Sequence, residues 1–195
     1  MSVSDNFNRS DGGLGGNWTT QTNAPQISSN KCTDGGGSDY GAAFWSANSF
    51  NDNHTSQAVR SGTDLYCGVG ARMSATGGSS NWYVYFVHGS VQKSVAGSTS
   101  VVGSVNAVSD GETFKLDATG TDLTCSINGT PDPGGPLSDA SLSSGNAGVG
   151  FYDAGVPLVD DWLATGEVAS SSGGGLVGGG KLLDGGNLLR GRLVG

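Results

Sequence analysis

The chain has 195 residues, enough for one domain and an appendage. Glycine supplies 36 of them and charged residues only 13%, a composition that disfavours a helical bundle and suits short strands joined by tight turns. The net charge of -8, with 9 scattered basic residues, argues against a nucleic acid partner, because a polyanion requires clustered Lys and Arg.

Met1-Ser2-Val3-Ser4-Asp5 has neither a basic start nor an apolar run, so the expectation is synthesis in the cytoplasm without a signal peptide. No stretch has the length of a membrane helix, and no membrane partner is expected. Cys32, Cys67 and Cys125 are odd in number and widely spaced, which argues against a disulfide framework. Cys67 and Cys125 fall on apolar strand faces and are expected as reduced core residues. The sequons at Asn17, Asn53 and Asn128 read as Asn-rich turns.

Strand-like runs alternate with Gly, Ser, Asn and Asp clusters. Residues 5–9, 17–21, 25–28, 40–45 and 55–61 form the first set. In residues 65–73, Leu65, Cys67, Val69, Ala71 and Met73 alternate onto one face, and Tyr66, Gly68, Gly70 and Arg72 onto the other. In residues 82–88, Trp82, Val84 and Phe86 oppose Tyr83, Tyr85 and Val87. Both faces are apolar, as in a central strand. Residues 91–95, 101–105, 113–116, 123–127, 148–152 and 158–164 complete the set. Asn128-Gly129 marks a hairpin, because both residues tolerate positive φ. About a dozen short strands at this spacing predict an all-β, two-sheet antiparallel jelly-roll sandwich over residues 1–168.

Residues 169–195 have a different character, a Gly/Leu-rich linker and docking tail. The pairs Leu176-Val177, Leu182-Leu183, Leu188-Leu189 and Leu193-Val194 recur about every six residues, with Arg190 and Arg192 among them. Alone, this segment buries too little apolar surface to offset its ordering entropy. It is expected to pack on the sandwich, on copies of itself or on another protein. Gly175 to Lys181 spells G-x-x-x-x-G-K. It is followed by Leu182 where a phosphate loop needs Ser or Thr, so it is read as chance.

The first part of the chain resembles the concanavalin A-like (laminin G-like) jelly-roll modules of bacteriophage structural proteins and bacterial surface proteins. The resemblance lies in Asp5-Asn6-Phe7-Asn8-Arg9, Leu14-Gly15-Gly16-Asn17-Trp18-Thr19, Pro25-Gln26-Ile27 and Gly68-Val69-Gly70-Ala71-Arg72. It continues through Asn81-Trp82-Tyr83-Val84-Tyr85, the run from Gly111-Glu112-Thr113-Phe114 to Asn128-Gly129, Asp139-Ala140-Ser141-Leu142, Gly148-Val149-Gly150-Phe151 and Asp160-Asp161-Trp162. It implies a non-enzymatic virion structural protein on the exterior of the particle, in capsid decoration, a head fibre or the tail. Its expected partners are other virion proteins reached through the C-terminal tail, further copies of itself in a homo-oligomer, and host surface glycans. The alternative is a carbohydrate-binding, lectin-like module without a structural role, and after it a glycosidase or lyase.

The glycosidases of this fold class place two glutamates on one strand with an Asp between them. Here the only glutamates, Glu112 and Glu167, are far apart, and no enzyme is expected. Related modules hold calcium at the sandwich rim, so Asn51, Asp52, Asn53 and Asp160 are the candidate ligands. No other cofactor is implied. Sugar binding needs aromatic platforms beside hydrogen-bonding groups, and alternation nominates Tyr66, Arg72, Tyr83 and Tyr85 as a patch if their strands are neighbours. Trp18, Trp45 and Trp162 are expected in the core or at its edges.

Overall fold

The computed structural model describes residues 1–36, 40–76, 79–152 and 158–168. Among them there is no helix. The strands are β1 (Ser2–Asp5), β2 (Gly12–Gly13), β3 (Trp18–Thr22), β4 (Gln26–Ser28), β5 (Lys31–Thr33) and β6 (Gly41–Trp45). They continue with β7 (Phe50–Ser61), β8 (Cys67–Thr76), β9 (Ser79–Phe86), β10 (Ser90–Val95), β11 (Ser98–Ser104) and β12 (Thr113–Thr119). The last are β13 (Asp122–Ile127), β14 (Thr130–Pro131), β15 (Leu137–Ser138), β16 (Asn146–Phe151) and β17 (Leu158–Val168).

One sheet of ten strands runs β14-β13-β12-β7-β17-β5-β4-β2, with β1 added beside β17 and β15 beside β13. The other runs β11-β10-β9-β8-β16-β6-β3. All described pairings are antiparallel, and the expected two-sheet sandwich is what the chain forms. Asn128 and Gly129 both take positive φ, 50° and 79°, in the two-residue turn between β13 and β14.

The core lies between the sheets. Phe114, Leu116 and Leu123 meet Val69, Tyr85, Val149 and Phe151 there. Trp18, Trp45 and Trp162 join it as expected, with the Trp162 ring 4.7 Å from Trp18 and 5.7 Å from Trp45. Trp162 Nε1 donates to Ser56 Oγ at 2.9 Å and to Gly148 O at 3.2 Å, so one indole ties the two sheets together. Cys32, Cys67 and Cys125 are free and buried. Burial pushes the Cys67 and Cys125 thiols up to about 12.

Two buried arginines fasten loops through main-chain oxygens. Arg60 donates to the carbonyls of Gly62, Thr63, Asp64 and Val108. Arg72 donates to those of Asp52, Gly120 and Leu142. His54 lies beside Arg72. Its Nδ1 donates to Asn51 O and its Nε2 accepts from Arg72 N, so the ring is neutral. Burial lowers its pKa, and the neighbouring guanidinium adds to the effect.

Three expectations are corrected. Residues 5–9 are not a strand: β1 ends at Asp5, and Phe7 turns the chain at φ 54°. Asp5 Oδ1 accepts from Phe7 N, and the Arg9 guanidinium clasps the same carboxylate. Leu65 precedes β8 and is 45% exposed. Met73 does not share a face with Cys67, Val69 and Ala71. The register slips between Ala71 and Ser74, and with Arg72 at φ 52° the next side chain is thrown onto the outer face.

The seven-stranded sheet curls around that outer face. β3 and β9 are four places apart in strand order, about 19 Å in a flat sheet. Yet Gln21 Nε2 on β3 bonds Asn81 O on β9 at 3.3 Å. The curl needs glycine. A Cβ on Gly68 would stand 2.5 Å from Val84 Cγ1, and one on Gly150, a strand further away, 2.7 Å from Val84 Cγ2. Ala42, Met73, Trp82, Val84 and Phe86 therefore form a second, smaller core on the outside of the sandwich, edged by Tyr40 and Phe44.

Candidate functional site

The expected patch of Tyr66, Arg72, Tyr83 and Tyr85 does not form. Val69 pairs with Tyr85 and Ala71 with Tyr83, so both tyrosines face the inner core instead of lying beside Tyr66. Tyr83 Oη donates to Asp139 Oδ1, and Tyr85 Oη donates to Asn106 O. Burial together with Asp139 pushes the Tyr83 phenol up to about 12. Arg72 is 1% exposed, with its guanidinium committed to the three carbonyls described above. Only Tyr66 of the four stands on the outer face.

There Tyr66 belongs to a different group. Phe151 pairs with both Gly41 and Cys67, and Gly68 pairs with Phe86. Those registers bring Tyr40, Tyr152, Tyr66 and His88 side by side at one end of β6, β16, β8 and β9. Each is one residue outside an inward-facing or glycine position, so all four project outward. The ring centres are 4.4 Å apart for Tyr40 and Tyr152, 5.5 Å for Tyr152 and Tyr66, and 5.7 Å for Tyr66 and His88. Tyr152 is the most open, at 38% exposed. Trp82 and Phe86 underpin the row: Tyr40 lies 5.3 Å from Trp82, and His88 stacks on Phe86 at 5.6 Å.

Polar groups accompany the rings. Tyr40 Oη donates to Gln92 Oε1, Gln92 Nε2 to Ser90 Oγ, and Ser90 lies 2.7 Å from His88 Nε2. Burial raises the Tyr40 phenol, and Tyr152 adds to the rise. It therefore stays protonated and able to donate. An aromatic strip bordered by hydroxyl, amide and imidazole groups can stack on an apolar ring face while bonding its hydroxyls.

Asn51, Asp52, Asn53 and Asp160 are not brought together. Asn53 lies at the start of β7, whereas Asp160 pairs with Val59 near its end, about 20 Å along the strand. Asp160 also has a cation of its own, Lys31 Nζ at 3.5 Å, and Asn53 Oδ1 accepts from Gly120 N. These residues do not fit a calcium cage, and among the described residues no three His, Cys, Asp or Glu side chains converge. Glu112 holds a turn, accepting from Ser109 N and Asn128 Nδ2. A polar cleft of about 350 Å³ flanks β1 beside Arg9, Asn17 and Trp45, but Asp5 already neutralises its arginine. The docking-tail residues Leu176, Val177, Leu182, Leu183, Leu188, Leu189, Arg190, Arg192, Leu193 and Val194 lie outside the described residues.

No family model matches the sequence, and neither does any curated protein. Solved structures do match in fold. The carbohydrate-binding module CBM66 from Bacillus subtilis aligns at a TM-score of 0.56 and 14% identity, over 78% of this chain and 93% of that one. The apo Crh5 transglycosylase aligns at 0.50 and 11%, over 85% and 84%. The exoplasmic/lumenal domain of VIP36, in its Ca2+/Man-bound form, aligns at 0.50 and 8%, over 80% and 85%. At such identities the likeness is one of fold, and it is consistent with a concanavalin A-like jelly roll.

Proposed function

We propose that this chain is a glycan-binding module, and that the row Tyr40–Tyr152–Tyr66–His88 with Gln92 and Ser90 is its platform. The observation that carries the reading is the alignment of four outward aromatic side chains on four adjacent strands. Such a row offers continuous aromatic surface to the apolar side of a saccharide, and tyrosine joins that surface to a hydroxyl. The fold likeness to a carbohydrate-binding module supports it. The reading needs no virion context. That expectation drew on the family resemblance, and the docking tail bore only on anchoring.

The test is a glycan array probed with the full chain and with Tyr152→Ala and Tyr66→Ala. Each variant removes one stacking ring and is expected to weaken binding about tenfold, with thermal stability close to that of the parent. A parent chain that retains no glycan, or a Tyr152→Ala chain that binds as well as the parent, overturns the proposal.

A further inference from the structure

Among the described residues, no cation of the protein covers the aromatic faces of the strip. A tyrosine face carries the negative end of the ring quadrupole and attracts an ammonium group within about 6 Å. Each basic side chain is engaged elsewhere. Arg9 lies over Phe7 and is bound to Asp5, Lys31 faces Asp160, and Lys93 is held by Asp139. Lys115 stands on β12 of the other sheet. Arg60 and Arg72 are buried, with their guanidinium groups spent on carbonyls.

Negative charge, by contrast, gathers at the strip. Asp64 Oδ1 accepts from Tyr66 N at 3.0 Å, which holds the carboxylate beside Tyr66. Asp64 enters none of the ion pairs of the described residues. In the sequence Asp39 adjoins Tyr40 and Asp153 adjoins Tyr152, and the whole chain carries a net charge of -8. Tyr66 and Tyr152 meet at 72° with ring centres 5.5 Å apart, so a compact group at their corner touches both.

We propose that the platform selects amino sugars whose nitrogen is unacetylated and protonated, an inference that rests on the glycan-binding reading above. The pyranose lies on the tyrosines as a neutral sugar would. Its ammonium group sits against Tyr66 and Tyr152, with Asp64 as the counter-charge. Acetylation of that nitrogen removes the charge and with it both attractions. An exposed cation–π contact and an exposed ion pair each contribute modestly, and together they correspond to about a tenfold preference over the N-acetylated sugar. Both are screened by ions, so the preference shrinks in concentrated salt.

Isothermal titration of the full chain with the glucosamine disaccharide and with its di-N-acetylated counterpart, in low salt at pH 6, reads this preference. The free amine should bind about tenfold tighter. Asp64→Asn keeps an oxygen to accept from Tyr66 N and loses the charge, so its preference should fall to about threefold. Equal affinity of the parent for the two sugars, or an undiminished preference in Asp64→Asn, overturns the inference and leaves the glycan reading standing. If neither sugar binds, the glycan reading fails, and choline against 3,3-dimethylbutan-1-ol, its uncharged isostere, still decides the ammonium seat. Choline alone should shift the Tyr66 and Tyr152 ring resonances in NMR spectra. Equal shifts from both compounds, or none from either, overturn the seat.

Discussion

Trp162→Phe tests whether the indole is the polar rivet between the sheets. The ring is fully buried, and its N–H reaches Ser56 of the ten-stranded sheet and Gly148 of the seven-stranded one. Losing the donor costs about 1 kcal/mol, since Ser56 Oγ loses a partner while Gly148 O keeps Ser56 at 2.9 Å. Exchanging indole for phenyl opens roughly 40 Å³, worth about 1 kcal/mol at ~24 cal/mol per Å³. The sum, about 2 kcal/mol, corresponds to a drop in Tm of roughly 4–8 °C for a domain of this size. Urea unfolding followed by far-ultraviolet circular dichroism measures it without relying on the lost fluorophore. Ser56→Ala, which removes the acceptor of the same indole N–H, should cost about 1 kcal/mol. A Trp162→Phe loss below about 0.5 kcal/mol would refute the rivet.

His54 makes stability depend on pH. Its native pKa lies below the ordinary imidazole value, so above about pH 6.5 both folded and unfolded chains hold it neutral and stability is undiminished. As pH falls below that value the unfolded chain takes up a proton that the native site resists, and stability declines. Denaturant midpoints between pH 7.5 and 5.5 should fall in the parent and stay flatter in His54→Gln. Gly148→Ala should prevent folding, because its Cβ would stand 2.2 Å from Ala43 O. Soluble expression judged by size exclusion is the check, and a monodisperse native variant would contradict the packing. The three cysteines should ignore a thiol reagent in buffer and all react in urea, and fast labelling of the native chain would contradict their burial.

Strand positions were largely legible because period-two alternation and turn residues are local. β12, β13 and the Asn128-Gly129 turn were readable for that reason. The register between β8 and β9 was not. Both faces of Trp82 to Val87 are apolar, so alternation alone does not say which face is inside. The glycines held the missing signal. Gly68 and Gly70 on β8, and Gly148 and Gly150 on β16, leave space that only bulky outward neighbours such as Val84 and Met73 fill. Tyr40, Tyr152 and His88 carry no joint signal in the sequence, because each sits at a strand end, far from the others along the chain. Only tertiary register unites them. The separation of Asp160 from Asn51, Asp52 and Asn53 is likewise a matter of register, and Asn-Asp clusters mark turns as readily as ion sites.

Arg60 has a consequence for how the rim beside Tyr66 can diversify. Its guanidinium grips Gly62, Thr63 and Asp64 by oxygens that every amino acid possesses. The path of that segment is therefore indifferent to what Thr63 and Leu65 carry outward. Mutational drift at these two positions is free to retune the lip of the sheet for a new ligand while the chain beneath keeps its course.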